Sequence, residues 1–308
     1  MASVMEFSEL KQGQIGIIVT EAAANIAAHA TQGEMLLCPW GIDGSSGIDI
    51  LALDNGQGIK DVGRSFEDGF STAGTAGQGL GAMSRLSSFI QIYTTQGRGT
   101  ALFARVLKDL SPIEDEDVLP LGAICLPISG ESVCGDAWSM SEGKTRSIYI
   151  VADGLGHGPS AAEASREAVR IFDEFSHLSP ARILAEVHGA LGKTRGAAVS
   201  VAEVEHEKGL INFAGIGNVA GAILRNGKSR TMVSMNGTVG HTIGKIQQFS
   251  YPWEQNSALL LHSDGLGTRW NLDQYPGLSA RHPSLIAGVL YRDFCRKRDD
   301  VTILVTRV

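Results

Sequence analysis

The chain has 308 residues, about twice the commonest domain size, which predicts two domains. Its 43% hydrophobic and 19% charged residues, with 38 glycines and only 9 prolines, exclude an intrinsically disordered chain. A formal net charge of −7 provides no broad basic surface, so neither nucleic acid nor an anionic membrane is expected as a partner. The sequence also lacks a signal peptide and any stretch of roughly 20 apolar residues, so we expect a cytoplasmic protein.

Four cysteines stand at scattered positions, Cys38, Cys125, Cys134 and Cys295. They form no C-x-x-C pair and no local cluster with histidine. We therefore predict neither a zinc site nor a structural disulfide, as is usual for a cytoplasmic protein.

The clearest change in composition lies at 111–120, where four consecutive acidic residues stand between two prolines. Apolar periodicity stops there, as it does in a linker. We predict domains at 1–110 and 120–308, joined by a linker at 111–119. The first domain holds 7 basic and 11 acidic residues and the second holds 19 and 18, so most of the net negative charge lies in the first domain and the linker.

The first domain combines helical and strand patterns. An alanine-rich run without a breaker predicts a helix over 16–30, and a second helix is predicted over 80–89. A short apolar run at 48–53 is typical of a buried strand. Alternating residues at 89–94 and 100–106 predict a hairpin. These elements indicate an α/β domain.

The second domain has many short strand candidates, with helices grouped between them. Helices are predicted over 159–175, 180–191 and 283–295, each with a proline at its start. Asn226-Gly227 marks a hairpin turn. This distribution favours an α+β sandwich of sheets covered by helices over a β-α-β alternation. The strands are predicted at 121–128, 147–152, 197–204, 210–214, 221–224, 231–235, 258–262 and 301–305.

Two groups of polar residues and glycines in the first domain could bind a nucleotide. Glu21 and Asn25 lie four residues apart on the predicted helix, so their side chains share one face. Asp54 follows a predicted strand and precedes Gly56 and Gly58, which let a backbone approach a ligand closely. Each group alone is more often a solvated helix face or an ordinary turn.

A third group is the run Gly77, Gly79 and Gly81, which opens the predicted helix at 80–89. Helix N-termini favour phosphate through their free N–H groups and the helix dipole. The run follows a Gly/Ser/Thr-rich stretch and not a strand, and its spacing differs from G-x-G-x-x-G, which argues against a Rossmann site. The order of the three groups along the chain makes an ATP site the favoured interpretation.

On these motifs, residues 13–106 resemble the GHKL (Bergerat) ATP-binding fold, a two-layer α/β domain, and within it the HATPase serine kinases of the RsbT and RsbW type. The segment 68–75 with the glycines at 77–81 resembles the RsbT lid. The resemblance implies that Asn25 holds Mg²⁺ between the phosphates and that Glu21 is the base or orienter for the acceptor hydroxyl. It also implies that Asp54 accepts a hydrogen bond from the adenine amine. Gly56 and Gly58 would shape the adenine pocket, and Thr100 would lie near the base. The phosphates would be contacted by Gly77, Gly79 and Gly81.

One departure from the kinase family concerns the start of the domain. Kinases of this type usually begin with a strand and a helix ahead of the region that starts here near Phe7. Those elements pack the sheet and contribute to partner binding. The resemblance therefore leaves kinase turnover and the oligomeric state open, a homodimer among the states.

Aspartates of the second domain stand where strand-like segments end or begin. They are Asp136, Asp153, Asp264 and the adjacent pair Asp299 and Asp300. Carboxylate oxygens suit hard ions such as Mg²⁺ and Mn²⁺. A single Asp-Gly is more often a turn, but four such positions beside strand-like segments indicate a metal site.

This set, with the glycine-rich stretches 196–199, 213–218 and 236–240, resembles the metal-dependent serine/threonine phosphatases of the SpoIIE and RsbX type over residues 120–308. The resemblance implies a four-layer αββα fold and two Mg²⁺ or Mn²⁺ ions that activate a water. A triad at Ser263 is disfavoured because no G-x-S-x-G elbow surrounds it. The metal ligands implied are Asp136, Asp153, Asp264, Asp299 and the Gly154 carbonyl. Asp300 is expected outside the ligand shell, but the sequence leaves the choice between these two adjacent aspartates open.

Together the resemblances imply a bifunctional switch that phosphorylates and dephosphorylates Ser or Thr of one STAS-domain regulator in a sigma-factor or stress pathway. Fusion would raise the effective concentration of both activities around that partner. Two alternatives stay open. The first domain could sense ATP without turnover and regulate the phosphatase, or it could be an anti-sigma module that sequesters a sigma factor. Intact Glu21 argues against the former, and the RsbT-like lid argues against the latter.

Overall fold

The structure is a computed structural model that describes residues 1–42, 45–66, 79–109 and 120–307. It divides into two compact units, Met1–Leu119 and Pro120–Val308. The linker predicted at 111–119, the lid-like segment 68–75 and Gly77 lie outside the described residues. Within the described ranges, no helix combines the length and the apolar character that crossing a membrane requires.

The first unit is a four-stranded antiparallel sheet with helices packed on it. Ile18 of the first helix and Ile50 and Ala104 of the central strands are buried in one core. The strand order is β1-β2-β4-β3, and all three pairings are antiparallel. The elements are α1 (Glu9–His29), β1 (Gly33–Ile42), β2 (Ser45–Asp54), α2 (Val62–Ser65), α3 (Gly79–Leu86), β3 (Phe89–Thr94) and β4 (Thr100–Leu107).

The start of α1 corrects the predicted helix at 16–30. The helix begins at Glu9 because Ser8 caps it, and the Ser8 hydroxyl accepts a hydrogen bond from the Lys11 amide at 3.3 Å. Gly13 and Gly16 in its first half lower the helix propensity of the segment, so the sequence pattern does not indicate a helix there. The second helix also ends earlier than predicted, at Leu86.

The strands of the first unit were predicted unevenly. The hairpin of β3 and β4 is confirmed, and Thr94 pairs with Thr100 where the strands meet the turn. Strand β1 was not predicted, since Pro39 and two glycines interrupt its apolar pattern. It nevertheless pairs with β2 along its whole length.

The second unit has four layers, helix–sheet–sheet–helix. Helices α4 and α5 pack on one sheet of order β12-β9-β8-β7-β6, and α6 packs on the other, of order β11-β10-β13-β14-β5. The elements are β5 (Leu121–Leu126), β6 (Asp136–Glu142), β7 (Arg146–Gly154), α4 (Pro159–Phe175), α5 (Pro180–Ala190), β8 (Ala197–Glu205), β9 (Leu210–Ile216), β10 (Ala220–Arg225), β11 (Lys228–Met232), β12 (Phe249–Pro252), β13 (Ala258–His262), α6 (Pro283–Phe294) and β14 (Val301–Thr306).

Helix α4 shows how its sequence fixes this packing. Pro159 opens it, and Ala161, Ala164, Ala168 and Phe172 repeat at helical spacing on the buried face. The alanines allow a close approach to the sheet, and Phe172 fills the core with Ile148 and Ile150 of β7. Truncating Phe172 to alanine would cost about 3–5 kcal/mol of stability. The helix therefore holds the end of β7, and the loop that follows it, in place.

The three helices predicted for this unit are confirmed, with ends that differ by one residue at most. Asn226 and Gly227 both have left-handed backbone, with φ of 50° and 79°, as a two-residue hairpin turn requires. The strand predicted at 231–235 instead covers Lys228–Met232. Strands β6 and β12 were not predicted, because β6 is polar and only half-buried at an edge and β12 is short.

Candidate functional site

In the first unit, Asp54 organises the edge of the sheet where the adenine site is predicted. Its Oδ1 accepts hydrogen bonds from the Gly56 amide at 2.7 Å and from the Thr100 amide at 3.2 Å. Thr94 Oγ1 lies 3.2 Å from Thr100 Oγ1 and accepts a hydrogen bond from the Ile59 amide. Thr100, which is 46 residues from Asp54 in sequence, thus joins Asp54 and Gly56 in one cluster.

The two glycines beside Asp54 are required by backbone contacts. A Cβ on Gly56 would lie 2.6 Å from the His29 carbonyl oxygen. Gly58 has a left-handed φ of 76°, and a Cβ there would lie 2.6 Å from the Thr95 carbonyl oxygen. Backbone therefore forms this edge of the cluster, as the adenine pocket prediction requires.

The predicted phosphate end of the site lies between α1 and α3. Glu21 and Asn25 are half-buried on α1. A Cβ on Gly79 would lie 2.7 Å from Glu21 Oε2, so the Glu21 carboxylate faces the first residue of α3. Gly81, two residues after Gly79 in the same helix, is buried. The structure thus brings Glu21 and Gly79 together at a helix N-terminus, where the dipole favours negative charge.

In the second unit, Asp136 and Asp153 lie opposite each other on β6 and β7. Asp136 is buried, and Asp153 is half-buried near the end of its strand. Burial, reinforced by the charges of neighbouring aspartates, raises the pKa of Asp136 to about 7 and that of Asp153 to about 8. Two strands thus hold two carboxylates where their charged forms repel each other.

Asp264 and Asp299 complete the group of predicted ligands. Asp264 follows β13, and its Oδ2 accepts a hydrogen bond from Asn218 Nδ2 at 2.6 Å. Asp299 precedes β14, and burial together with the charges of Asp264 and Asp300 raises its pKa. Both Asp264 and Asp299 also raise the pKa of Asp153 by repulsion. Each of the four predicted aspartates therefore lies within electrostatic reach of at least two of the others.

Asp300 has a different role from its neighbour. It is buried, and its two carboxylate oxygens accept hydrogen bonds from the Ile128 amide at 2.8 Å and the Gly135 amide at 3.0 Å. These bonds fix the segment that leads into β6. The contacts support Asp299 as the ligand and Asp300 as a residue that positions the backbone next to Asp136.

The donor set fits a divalent cation. Asp136 Oδ2 is buried and has no hydrogen-bond partner among the described residues. Carboxylates that repel one another are stabilised by a metal charge, and their oxygens suit Mg²⁺ and Mn²⁺. No three Asp, Glu, His or Cys side chains of the described ranges are placed to chelate one ion by themselves. Mg²⁺ usually keeps several water ligands in proteins.

The loop after β7 is held from both sides. The Gly154 amide donates to the Gly135 carbonyl at 3.2 Å, and a Cβ on Gly154 would lie 2.0 Å from the Ala161 carbonyl oxygen. Further along the loop, His157 Nδ1 lies 2.7 Å from Glu131 Oε1. This contact ties His157 to Glu131, and the packing fixes the Gly154 carbonyl that is predicted as a ligand.

Two residues of this site received no role from the sequence. Asn218 lies in the glycine-rich stretch 213–218, which was a usable signal, whereas nothing in the pattern marks Glu131. Ser263, the residue considered for a triad, is fully buried, and its Oγ accepts a hydrogen bond from the Thr302 amide at 2.8 Å. It therefore supports the backbone and is not exposed as a nucleophile.

Comparison with known proteins supports the two resemblances. Residues 143–308 match the family model described as Stage II sporulation protein E (SpoIIE). The chain is 34% identical over 104 residues to the serine/threonine-protein kinase RsbT of Bacillus subtilis, which covers 34% of this chain and 78% of RsbT. It is 28% identical over 139 residues to the phosphoserine phosphatase RsbX of the same organism, which covers 44% of this chain and 69% of RsbX.

Solved structures agree in fold. RsbX in complex with magnesium superposes with a TM-score of 0.51 at 23% identity, covering 59% of this chain and 92% of that chain. The PP2C phosphatase domain of Bacillus subtilis SpoIIE, solved with a fragment of its regulatory domain, has a TM-score of 0.53 at 18% identity, covering 100% of this chain and 91% of that chain. The aspartate cluster thus lies in a unit of the PP2C fold.

Proposed function

The chain belongs to the SpoIIE family of PP2C-type phosphatases, and from this we propose that its second unit removes phosphate from serine or threonine of a STAS-domain regulator. The observation that carries the proposal is the aspartate cluster. Asp136 and Asp153 face each other in register, and Asp136 Oδ2 is buried without a hydrogen-bond partner in the described part of the chain. Such a cluster is costly unless cations bind to it.

The residues of the cluster have different roles in metal binding: some would be direct ligands and others position those ligands. Asp136, Asp153, Asp264, Asp299 and the Gly154 carbonyl would bind Mg²⁺ or Mn²⁺, and such ions supply an activated water for attack on a phosphoserine or phosphothreonine. Asn218 orients Asp264 through its 2.6 Å hydrogen bond. Asp300 fixes the backbone on the N-terminal side of Asp136. Asp153, Asp264 and Asp299 are half-buried and are therefore partly accessible to a substrate.

For the first unit we propose a GHKL-type ATP site and serine kinase activity toward the same STAS-domain partner. The cluster of Asp54, Gly56 and Thr100 would take the adenine, and Glu21 beside Gly79 would lie at the phosphates. Asn25 would hold Mg²⁺ between them. The similarity to RsbT over 104 residues supports this proposal. Phosphoryl transfer needs mainly positioning and charge neutralisation, which such a site supplies.

Two other functions of the first unit remain candidates. An ATP-sensing domain would bind nucleotide and alter phosphatase activity without transferring phosphate. An anti-sigma module would instead bind a sigma factor in an ATP-dependent manner. The half-buried Glu21 carboxylate at the N-terminus of α3 favours kinase turnover over both, since neither alternative needs a base there.

One mixture tests both activities. The full chain is incubated with Mg²⁺, Mn²⁺ and a candidate STAS-domain protein, with ATP for the unmodified protein and without ATP for the phosphorylated one. Intact mass of the STAS protein reports gain or loss of one phosphate. We expect Glu21→Gln to abolish gain only and Asp153→Asn to abolish loss only, so each variant is the matched control for the other.

The outcomes separate the proposals. Phosphate loss that survives both chelation and Asp153→Asn would reject the metal-dependent phosphatase. Unchanged phosphate gain in Glu21→Gln would reject the assigned role of Glu21. ATP binding that changes phosphatase activity, without transfer to any STAS protein, would establish the sensing alternative.

A further inference from the structure

Two cysteines of the second unit are in direct contact. Cys125 Sγ lies 3.5 Å from Cys134 Sγ, and both residues are free thiols that are partly exposed to solvent. The two residues enclose a short segment of the chain, so their contact is local. Cys38 and Cys295 are also partly exposed.

The position of this pair links it to the aspartate cluster. Cys125 belongs to β5, the edge strand of one sheet, and pairs with Thr302 of β14. Cys134 precedes β6, the edge strand of the other sheet, by two residues. Cys125 Sγ also lies 3.6 Å from the Asp136 carbonyl oxygen. A bond between the sulfurs would therefore tie the two sheets together beside Asp136.

We propose that Cys125 and Cys134 form a reversible disulfide on oxidation by a peroxide, and that this disulfide weakens metal binding at the neighbouring aspartates. One thiolate attacks a peroxide oxygen and breaks the O–O bond, which gives a sulfenic acid and one water from hydrogen peroxide. The second thiol attacks the sulfenic sulfur, the S–O bond breaks, and a second water leaves. Two thiols are oxidised and one peroxide is reduced.

Disulfide formation would act on the chain next to Asp136. The sulfurs have to approach from 3.5 Å to about 2.05 Å. Gly135, between Cys134 and Asp136, cannot absorb this freely, because its amide is bonded to Asp300 and a Cβ on it would lie 2.4 Å from Asp300 Oδ2. Any part of this approach that rotation of the two cysteine side chains does not take up would therefore reach Asp136, and a shift of about 1 Å in a catalytic group can cost roughly 100-fold in rate.

The experiment uses the full chain, reduced or treated with hydrogen peroxide. Peptide mapping without reductant locates the disulfide, calorimetric titration with Mn²⁺ measures metal affinity, and hydrolysis of a phosphorylated STAS protein measures activity. We expect a disulfide between Cys125 and Cys134, a roughly 10-fold or larger loss of Mn²⁺ affinity and activity, and recovery with dithiothreitol. Cys125→Ser and Cys134→Ser should each remain insensitive, whereas the control Cys38→Ser/Cys295→Ser should respond like the wild type.

The effect of the disulfide on metal binding rests on the proposed phosphatase function, but the measurements test the two separately. Peroxide that leaves both thiols free, or that links either one to Cys38 or Cys295, overturns the disulfide. A correct disulfide with unchanged Mn²⁺ affinity overturns its control of the metal site. If the reduced wild type lacked phosphatase activity, the proposed function would fail, while the disulfide and the Mn²⁺ titration would still decide this proposal.

Discussion

At the scale of single residues, two adjacent aspartates have opposite surroundings. Asp300 is buried with both oxygens bonded to backbone amides, whereas Asp299 is half-buried beside Asp264. The same change from carboxylate to amide should therefore have different consequences at the two positions. The stability of the second unit should depend on Asp300, and metal binding should depend on Asp299.

We expect Asp300→Asn to lower the free energy of unfolding by about 1–3 kcal/mol, because the new amide N–H₂ faces a backbone N–H and leaves a buried donor unpaired. Asp299→Asn should lower Mn²⁺ affinity by more than the roughly 10- to 100-fold loss that follows removal of an outer partner, with little change in stability. Urea unfolding without metal and calorimetric titration of Mn²⁺ measure the two effects. The reverse pattern would assign the ligand to Asp300.

Asn218 offers a second test at this scale. Asn218→Ala removes the amide that donates to Asp264 Oδ2 at 2.6 Å, so Asp264 loses its orientation. We expect Mn²⁺ affinity and phosphatase activity to fall roughly 10- to 100-fold. Asn218→Asp should be at least as damaging, because it places a second carboxylate against Asp264. Wild-type affinity in Asn218→Ala would show that the hydrogen bond does not position the ligand.

At the scale of elements, replacing a glycine by alanine in α1 and in α3 distinguishes an effect on helix stability from an effect on function in the first unit. Gly16 lies exposed in α1, and a Cβ there would meet nothing within 4 Å. Gly79 begins α3, and a Cβ there would lie 2.7 Å from Glu21 Oε2. A methyl group should therefore be tolerated at one helix and displace the Glu21 carboxylate at the other.

We expect Gly16→Ala to stabilise the first unit by about 0.4–1 kcal/mol, since alanine loses less backbone entropy on folding than glycine. Gly79→Ala should reduce phosphate transfer to the STAS protein while changing stability little, because the end of the Glu21 side chain can move aside. Peptide-level hydrogen exchange of the full chain measures the stability of each helix, and intact mass of the STAS protein measures transfer. Equal transfer in Gly79→Ala and Gly16→Ala would reject the site at α3.

How well an element was predicted depended on how much of its side-chain surface is buried. Helix α4 has the expected bounds because its burial repeats with the helical period, and strand β13 has them because its short apolar run is buried throughout. Strand β6 has Asp, Ser and Glu among its residues and lies at a sheet edge, so only pairing with β7 makes it a strand. The candidate aspartates could be proposed from their positions beside strand-like segments and from the family resemblance, whereas Asn218 needed the fold that brings it to Asp264.

At the scale of the whole molecule, the two units should respond to different ligands and to pH in different ways. Without metal, the pKa of Asp136 is raised from 3.8 to about 7 and that of Asp153 from 3.8 to about 8. A carboxyl whose pKa is raised by folding binds its proton more tightly in the folded state. The folded second unit therefore loses stability as the pH rises from about 4 towards 8.

We expect the melting temperature of the second unit, measured in chelator, to fall across this pH interval, and Asp153→Asn to flatten the slope. Mn²⁺ at 100 times its Kd should restore about 2.7 kcal/mol at pH 8, since it binds only the folded state. Differential scanning calorimetry of the full chain at several pH values, with and without Mn²⁺, measures both. A chelated protein that becomes more stable towards pH 8 would contradict the repulsion between these carboxylates.

Because Asp136 and Asp153 pair across β6 and β7, the distance between their carboxylates depends on the length of the turn that joins these strands. Strand β6 leads to β7 through the tight connection after Glu142, and Glu142 pairs with Ser147. Because side chains alternate between the faces of a strand, deleting one residue from that connection would either slip the register or force a bulge. Either change would separate the two carboxylates although every aspartate is still present. A natural variant with an insertion or deletion between 143 and 145 would thus retain every aspartate of the sequence motif and lose the proposed metal centre.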